Sequence, residues 1–144
     1  MEQIFVREIK QEDLSNGFLT SLDSLRLASN LSEEHANKVL SEILSNPNHK
    51  IAVAVLNDKV VGSATLLIEP KFIHDGGRVG HIEDVVVNKE FQKRGIGEKI
   101  IIELLRIAKE QNCYKTILDC SDEVKPFYEK IGFTLEAKCM RYNH

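Results

Sequence analysis

The stretch Gln92-Lys93-Arg94-Gly95-Ile96-Gly97 constrains this chain more than any other. Just before it, His81-Ile82-Glu83-Asp84-Val85-Val86-Val87 reads as a strand, and just after it Glu98 to Gln111 carries apolar residues at helical spacing. The stretch is therefore a strand-to-helix turn. Two glycines separated by one residue let the backbone approach a ligand closely, and the first N–H groups of the following helix have no intrahelical acceptor. With the positive end of the helix dipole and Lys93 and Arg94 beside them, those donors suit a phosphate or pyrophosphate. The same glycines also fit a plain tight connection. A Walker A loop is excluded because no Lys-Ser/Thr pair follows the second glycine. A dinucleotide fingerprint is excluded by Ile100, which stands where its third glycine would be.

At 144 residues the chain is read as a single domain spanning 1–144, long enough to bury a core without disulfides or metals. A net charge of -3 argues against a nucleic-acid binder that works by bulk electrostatics, so any anionic ligand needs a local basic cluster. Cys113, Cys120 and Cys139 are odd in number and form no C-x-x-C pair, which suggests neither a disulfide framework nor a zinc site. The N-terminus has no signal-peptide pattern, and no apolar run approaches membrane-spanning length. A cytoplasmic protein with no membrane association is expected.

In chain order, Gln3 to Ile9 is a first strand, and Asp13 starts a helix that brings Leu14, Phe18, Leu19 and Leu22 to one face despite Gly17. Ser32 caps a second helix whose Ala36, Val39, Leu40, Ile43 and Leu44 follow the helical period to Asn46-Pro47-Asn48. Ile51 to Leu56 and Val60 to Ile68 form an antiparallel hairpin across Asn57-Asp58-Lys59. A polar loop, Lys71 to Gly80, leads to the strand before the glycine turn. After the long helix come a strand at Tyr114 to Leu118, a short helix at Asp122 to Lys130 ending at Gly132, and a last strand from Phe133. The fold class is α/β: a mixed, largely antiparallel sheet flanked by helices, with one crossover after the glycine turn.

Glu83 and Asp84 sit together at the entrance to the apolar run Val85-Val86-Val87. Neighbouring strand residues point to opposite faces, so the strand is irregular there, or one carboxylate borders a pocket, or the strand start is partly exposed. Asp119, at a strand's end before a helix, is equally suited to capping and to ligand binding. Tyr128 alone reads as a packing aromatic with a polar tip.

Taken together, four segments resemble one family, the glucosamine 6-phosphate N-acetyltransferases of the GNAT superfamily. They are His81 to Val87, Gln92 to Gly97, Cys113 to Cys120, and Phe127-Tyr128-Glu129-Lys130-Ile131-Gly132-Phe133. Ile68-Glu69-Pro70-Lys71-Phe72-Ile73-His74 is similar to a further segment. The glycine loop points to the superfamily, and the others to the sugar-phosphate branch. The resemblance implies direct transfer of the acetyl group of acetyl-CoA, in a ternary complex, to the 2-amino group of glucosamine 6-phosphate, feeding UDP-N-acetylglucosamine synthesis. Tyr128 would donate a hydrogen bond to the coenzyme sulfur, Asp119 would orient the amine, and Glu83 and Asp84 would contact the sugar. Val85, Val86 and Val87 would serve the thioester oxygen through backbone N–H groups, with Val85 also near the sugar and Cys120 at the substrate side. Gln92, Lys93, Arg94, Gly95, Ile96 and Gly97 would hold the pyrophosphate.

For the substrate phosphate the resemblance implies Lys71, with Lys115 and Arg141 supplied by the second protomer of a homodimer whose active site is shared. Arg26 stands where the family carries a threonine near the phosphate. Val124 replaces a common coenzyme-contacting asparagine, and Arg78 has no counterpart role. No metal is expected. Two alternatives stay open: a GNAT enzyme acting on a protein, peptide or polyamine amine, and a non-catalytic acetyl-CoA-binding dimer. Lys71, Lys115 and Arg141 would repel a cationic acceptor.

Overall fold

The computed structural model describes residues 2–144, so Met1, the first residue of the expected domain, lies outside the described residues. A five-stranded sheet runs in the order β1-β2-β3-β4-β5. Its strands are β1 (Ile4–Glu8), β2 (His49–Leu56), β3 (Lys59–Pro70), β4 (Arg78–Val87) and β5 (Cys113–Ile117). Neighbours pair antiparallel except β4 and β5, which are parallel and joined through the helix α4 below. The mixed α/β class and the single crossover expected from sequence are both present.

Alternation explains the core. On β2, Ala52, Ala54 and Leu56 face one way and pack with Ile96, Ile100, Ile101 and Leu104 of α4 (Ile96–Glu110). Ile51, Val53 and Val55 face the other way, onto Phe18 of α1 (Phe18–Leu22) and Leu40 of α2 (Glu33–Leu44). A strand covered on both faces reads as a continuous apolar run, which is what Ile51 to Leu56 is. Ile100, Ile101 and Leu104 are wholly buried, and each such side chain contributes about 1.5–3 kcal/mol. The β2–β3 turn places Asn57 and Asp58 at φ 49° and 63°, the left-handed region that two-residue hairpins require and that Asn and Asp tolerate.

Three expectations are corrected. The first helix is not continuous: a 3₁₀ turn at Gln11–Ser15 is separated from α1 by Gly17, whose φ of 102° breaks the helical path. A Cβ there would sit 2.3 Å from the Val60 carbonyl oxygen, so the break also lets this turn pack against the start of β3. The Lys71–Gly80 loop is shorter than expected, because it holds a single turn, α3 (Ile73–Gly76), and β4 already begins at Arg78. The last strand from Phe133 is absent: residues 133–144 carry no regular secondary structure. A strand exists only through its pairing, and among the described residues β5 pairs with β4 alone. The short helix, α5 (Lys125–Ile131), ends at Gly132 as expected.

Candidate active site

The site begins with an irregularity in β4. Thr65 opposes Glu83 and Ser63 opposes Val86, so two residues, Asp84 and Val85, bulge opposite Ala64. Asp84 takes φ 50°, which for a non-glycine residue is the left-handed region. The carboxylate pair thus marks a bulged strand whose two acids also line a cleft. That cleft, of about 400 Å³, lies between α1, α2 and the sheet; Leu19, Leu22, Leu31 and Ile43 form its apolar walls.

The bulge coincides with a separation of strands. Pairing of β4 with β5 stops at His81 opposite Ile117, so among the described residues Ile82 to Val87 has β3 on one side and no strand on the other. The carbonyl of Val87 accepts a hydrogen bond from Gln92 Nε2 at 3.0 Å. This ties the glycine loop to the opening. Lys93 and Gly95 both have positive φ, 64° and 76°, which turns the chain sharply into α4. Lys99 N–H bonds the Gly95 carbonyl at 3.2 Å, so the N–H groups ahead of it at the helix start have no intrahelical acceptor. No atom lies within 4 Å of where a Gly95 Cβ would be, whereas a Cβ at Gly97 would touch Phe127 and Val87. A diphosphate fits these free donors and the two adjacent cations. Arg94 lies 3.4 Å from Glu2 and over the Phe91 ring at 5.4 Å.

On the other side of the opening, Asp119 and Cys120 follow β5 and line a second cleft of about 780 Å³ with Tyr128 and Lys115. This cleft separates the β5 edge from the tail, where Phe133 to Lys138 form its far wall. Tyr128 is buried, with Phe127 and Phe133 edge-on at 5.0 and 5.8 Å. Burial, with Cys120 adding to it, pushes the Tyr128 phenol above its ordinary value. The tail returns to the site. The Cys139 thiol, which donates to the Met140 carbonyl at 4.0 Å, is held above its ordinary value chiefly by Asp119, with burial and Glu83 adding and Arg141 opposing.

The basic residues fall as follows. Cross-strand register puts Glu83, His81 and Lys115 on the α1/α2 face of the sheet, beyond the part those helices cover. Lys71 Nζ lies 3.0 Å from Glu69 Oε1 at the end of β3. Lys115 is exposed on β5 and Arg141 is exposed in the tail. Arg26 is exposed after α1 and lines neither cleft. Arg78 donates to Asn48 Oδ1 at 2.8 Å and its Nε is buried without a partner, which makes it a clamp between β4 and the turn before β2. Val124 is the N-cap of α5. Sequence reading does not single out Glu69, His81 or Cys139 as site residues. The pairing of Glu69 with His81 depends on the β3–β4 register, and Cys139 on the path of an irregular tail, so no local pattern marks them.

A bulged β4, a neighbouring strand that stops pairing just before the bulge, and a helix start with free N–H groups beside the opening make up a site suited to a ligand that carries a diphosphate. Residues 7–133 match the model of the acetyltransferase (GNAT) family, and the chain belongs to that family. Within it, the chain is similar to the glucosamine 6-phosphate N-acetyltransferase of Arabidopsis thaliana, at 35% identity over 92% of this chain and 91% of that protein. The crystal structure of glucosamine-6-phosphate N-acetyltransferase from the same organism superposes with a TM-score of 0.94, at 34% identity, over 99% of both chains. The glucosamine 6-phosphate N-acetyltransferase of Trypanosoma brucei brucei is 48% identical over 83 residues, 58% of this chain and 56% of that protein.

Proposed function

We propose that this protein transfers the acetyl group of acetyl-CoA to the 2-amino group of glucosamine 6-phosphate. The observation that carries the reading is a carboxylate pair, Glu83 and Asp84, lining a cleft on the sheet face that also carries the Glu69–Lys71 pair within the same chain. An amino sugar needs hydroxyl and amine partners at one end and a phosphate site at the other. Relatives named for that activity, at 33–36% identity over about nine-tenths of this chain, support the same acceptor.

Acetyl-CoA supplies an activated acetyl thioester. The α4 start with Lys93 and Arg94 holds its pyrophosphate, and the open side of β4 offers the N–H groups of Val85 to Val87 to the thioester oxygen. Tyr128, whose burial disfavours phenolate, keeps its proton at neutral pH and hydrogen-bonds the departing thiolate. Asp119 orients the amine, and Glu83 and Asp84 hold the sugar. Direct transfer in a ternary complex needs only positioning, because a sugar amine is partly neutral near pH 7.

The phosphate site is completed by Lys115 and Arg141 of a second copy. Support comes from apolar side chains that one chain leaves uncovered: Leu67 and Ile117 on the open sheet face, and Leu135, Met140 and Tyr142 in the tail. The β5 edge adds unpaired backbone for a partner to meet. A thiol-release assay with acetyl-CoA and a panel of amines tests the reading. Turnover is expected with glucosamine 6-phosphate; turnover of spermidine or a peptide instead would refute it.

A further inference from the structure

One carboxylate oxygen on the open sheet face serves two basic side chains. Glu69 Oε1 lies 3.0 Å from Lys71 Nζ and 3.0 Å from His81 Nε2. Glu69 and His81 come from adjacent strands, Glu69 opposing Val79 on β4 and His81 opposing Leu67 on β3, and Lys71 follows the end of β3. The side chains of Lys71 and His81 are 27% and 31% exposed, so both are held at the surface of the fold yet open to a ligand. Glu69's carboxyl is drawn below its ordinary value, first by the hydrogen bond to His81 and then by that to Lys71. The charged groups that face His81 are Glu69 from β3 and Lys71 just after it, Glu83 from its own strand, Lys115 from β5 and His49 from β2.

This arrangement has a consequence when a phosphate arrives. Lys71 is already neutralised by Glu69, and a phosphate dianion that takes Lys71 leaves Glu69 beside like charge. A protonated imidazole between them removes the conflict, because it donates to Glu69 through Nε2 and adds a positive charge to the site. Imidazole can take up a proton and bear that charge while still donating through Nε2. We infer that Glu69 and His81 are positioning residues for Lys71, and that binding of the substrate's phosphate is coupled to uptake of a proton on His81. The inference rests on the proposed reading of Lys71 as a phosphate ligand.

The test uses binding of N-acetylglucosamine 6-phosphate, the reading's own product, which carries no titrating amine. Calorimetry at pH 7.5 in two buffers of different ionisation enthalpy measures protons taken up. The expected result is uptake of more than about half a proton per site in the natural protein. His81→Gln, which retains a donor but cannot take up a proton, should bind at pH 8 with an affinity within about threefold of the natural protein's and take up none, and it should fall behind the natural protein at pH 6, where only the natural protein gains the added charge. Glu69→Gln should lower proton uptake as well, since the carboxylate that calls for the proton is gone. Binding by the natural protein without proton uptake, or equal uptake by His81→Gln, would overturn the coupling while leaving the acetyl-transfer reading intact. Failure of the natural protein to bind the sugar phosphate at all would overturn both.

Discussion

Tyr128 illustrates what a single residue can and cannot declare. In sequence it is one aromatic among several, and only the segment around it suggested a role beyond packing. The structure gives it both descriptions: ring edges of Phe127 and Phe133 fix its plane, and burial holds its proton. The direction of that shift sets a pH dependence. A phenol raised above ~10 donates at every lower pH and loses that capacity only on the alkaline side of that value. Tyr128→Phe should therefore lower kcat by about 10²-fold or more, with little change in acetyl-CoA affinity, and should abolish any alkaline decline above pH ~10. Steady-state rates across pH for both proteins check this; an unchanged kcat would remove Tyr128 from the mechanism. Residue identities were legible wherever chemistry announces itself, as with the paired acids at 83 and 84. They were illegible at His81, whose significance lies in a carboxylate on the neighbouring strand.

At the scale of elements, the site is produced by β4 failing to be a regular strand. The sequence offers an acid pair ahead of three valines, a pattern that leaves an irregular strand, a pocket and an exposed strand start open, and the structure combines them in a bulge whose two acids are exposed at a cleft. The φ of 50° at Asp84 is the fulcrum. Glycine adopts this conformation freely, whereas a β-branched residue there is strained by about 1–2 kcal/mol. Asp84→Gly should keep the bulge and acetyl-CoA affinity while raising KM for the amine. Asp84→Val should lose stability by about 1–2 kcal/mol and weaken donor binding too. Calorimetric titration with acetyl-CoA separates them, and a Gly variant that loses donor binding as severely as the Val variant would contradict the account. Helix α2 and the hairpin were legible because period, cap and turn residues agree. The expected last strand was not, because alternation in 133–144 says that the segment could pair and not with what.

The whole molecule is asymmetric. Helix α4 covers one face of the sheet, while α1 and α2 cover only part of the other, leaving Leu67 and Ile117 exposed beside His81 and Lys115. The β5 edge and the tail face each other across a cleft without pairing. These open features lie on the side where the acceptor is proposed to bind, and nothing in a single chain's sequence states which of its surfaces a second copy completes. In a symmetric pair each site would take Glu83 from one copy and Lys115 from the other. The direct measurement mixes two inactive variants, Glu83→Ala and Lys115→Ala, under conditions where subunits exchange, and assays acetyl transfer to glucosamine 6-phosphate. Random pairing makes half the dimers mixed, each with one intact site, so activity should recover to about a quarter of the natural level. Proven subunit exchange with no recovery would contradict a shared site on the open face of the sheet.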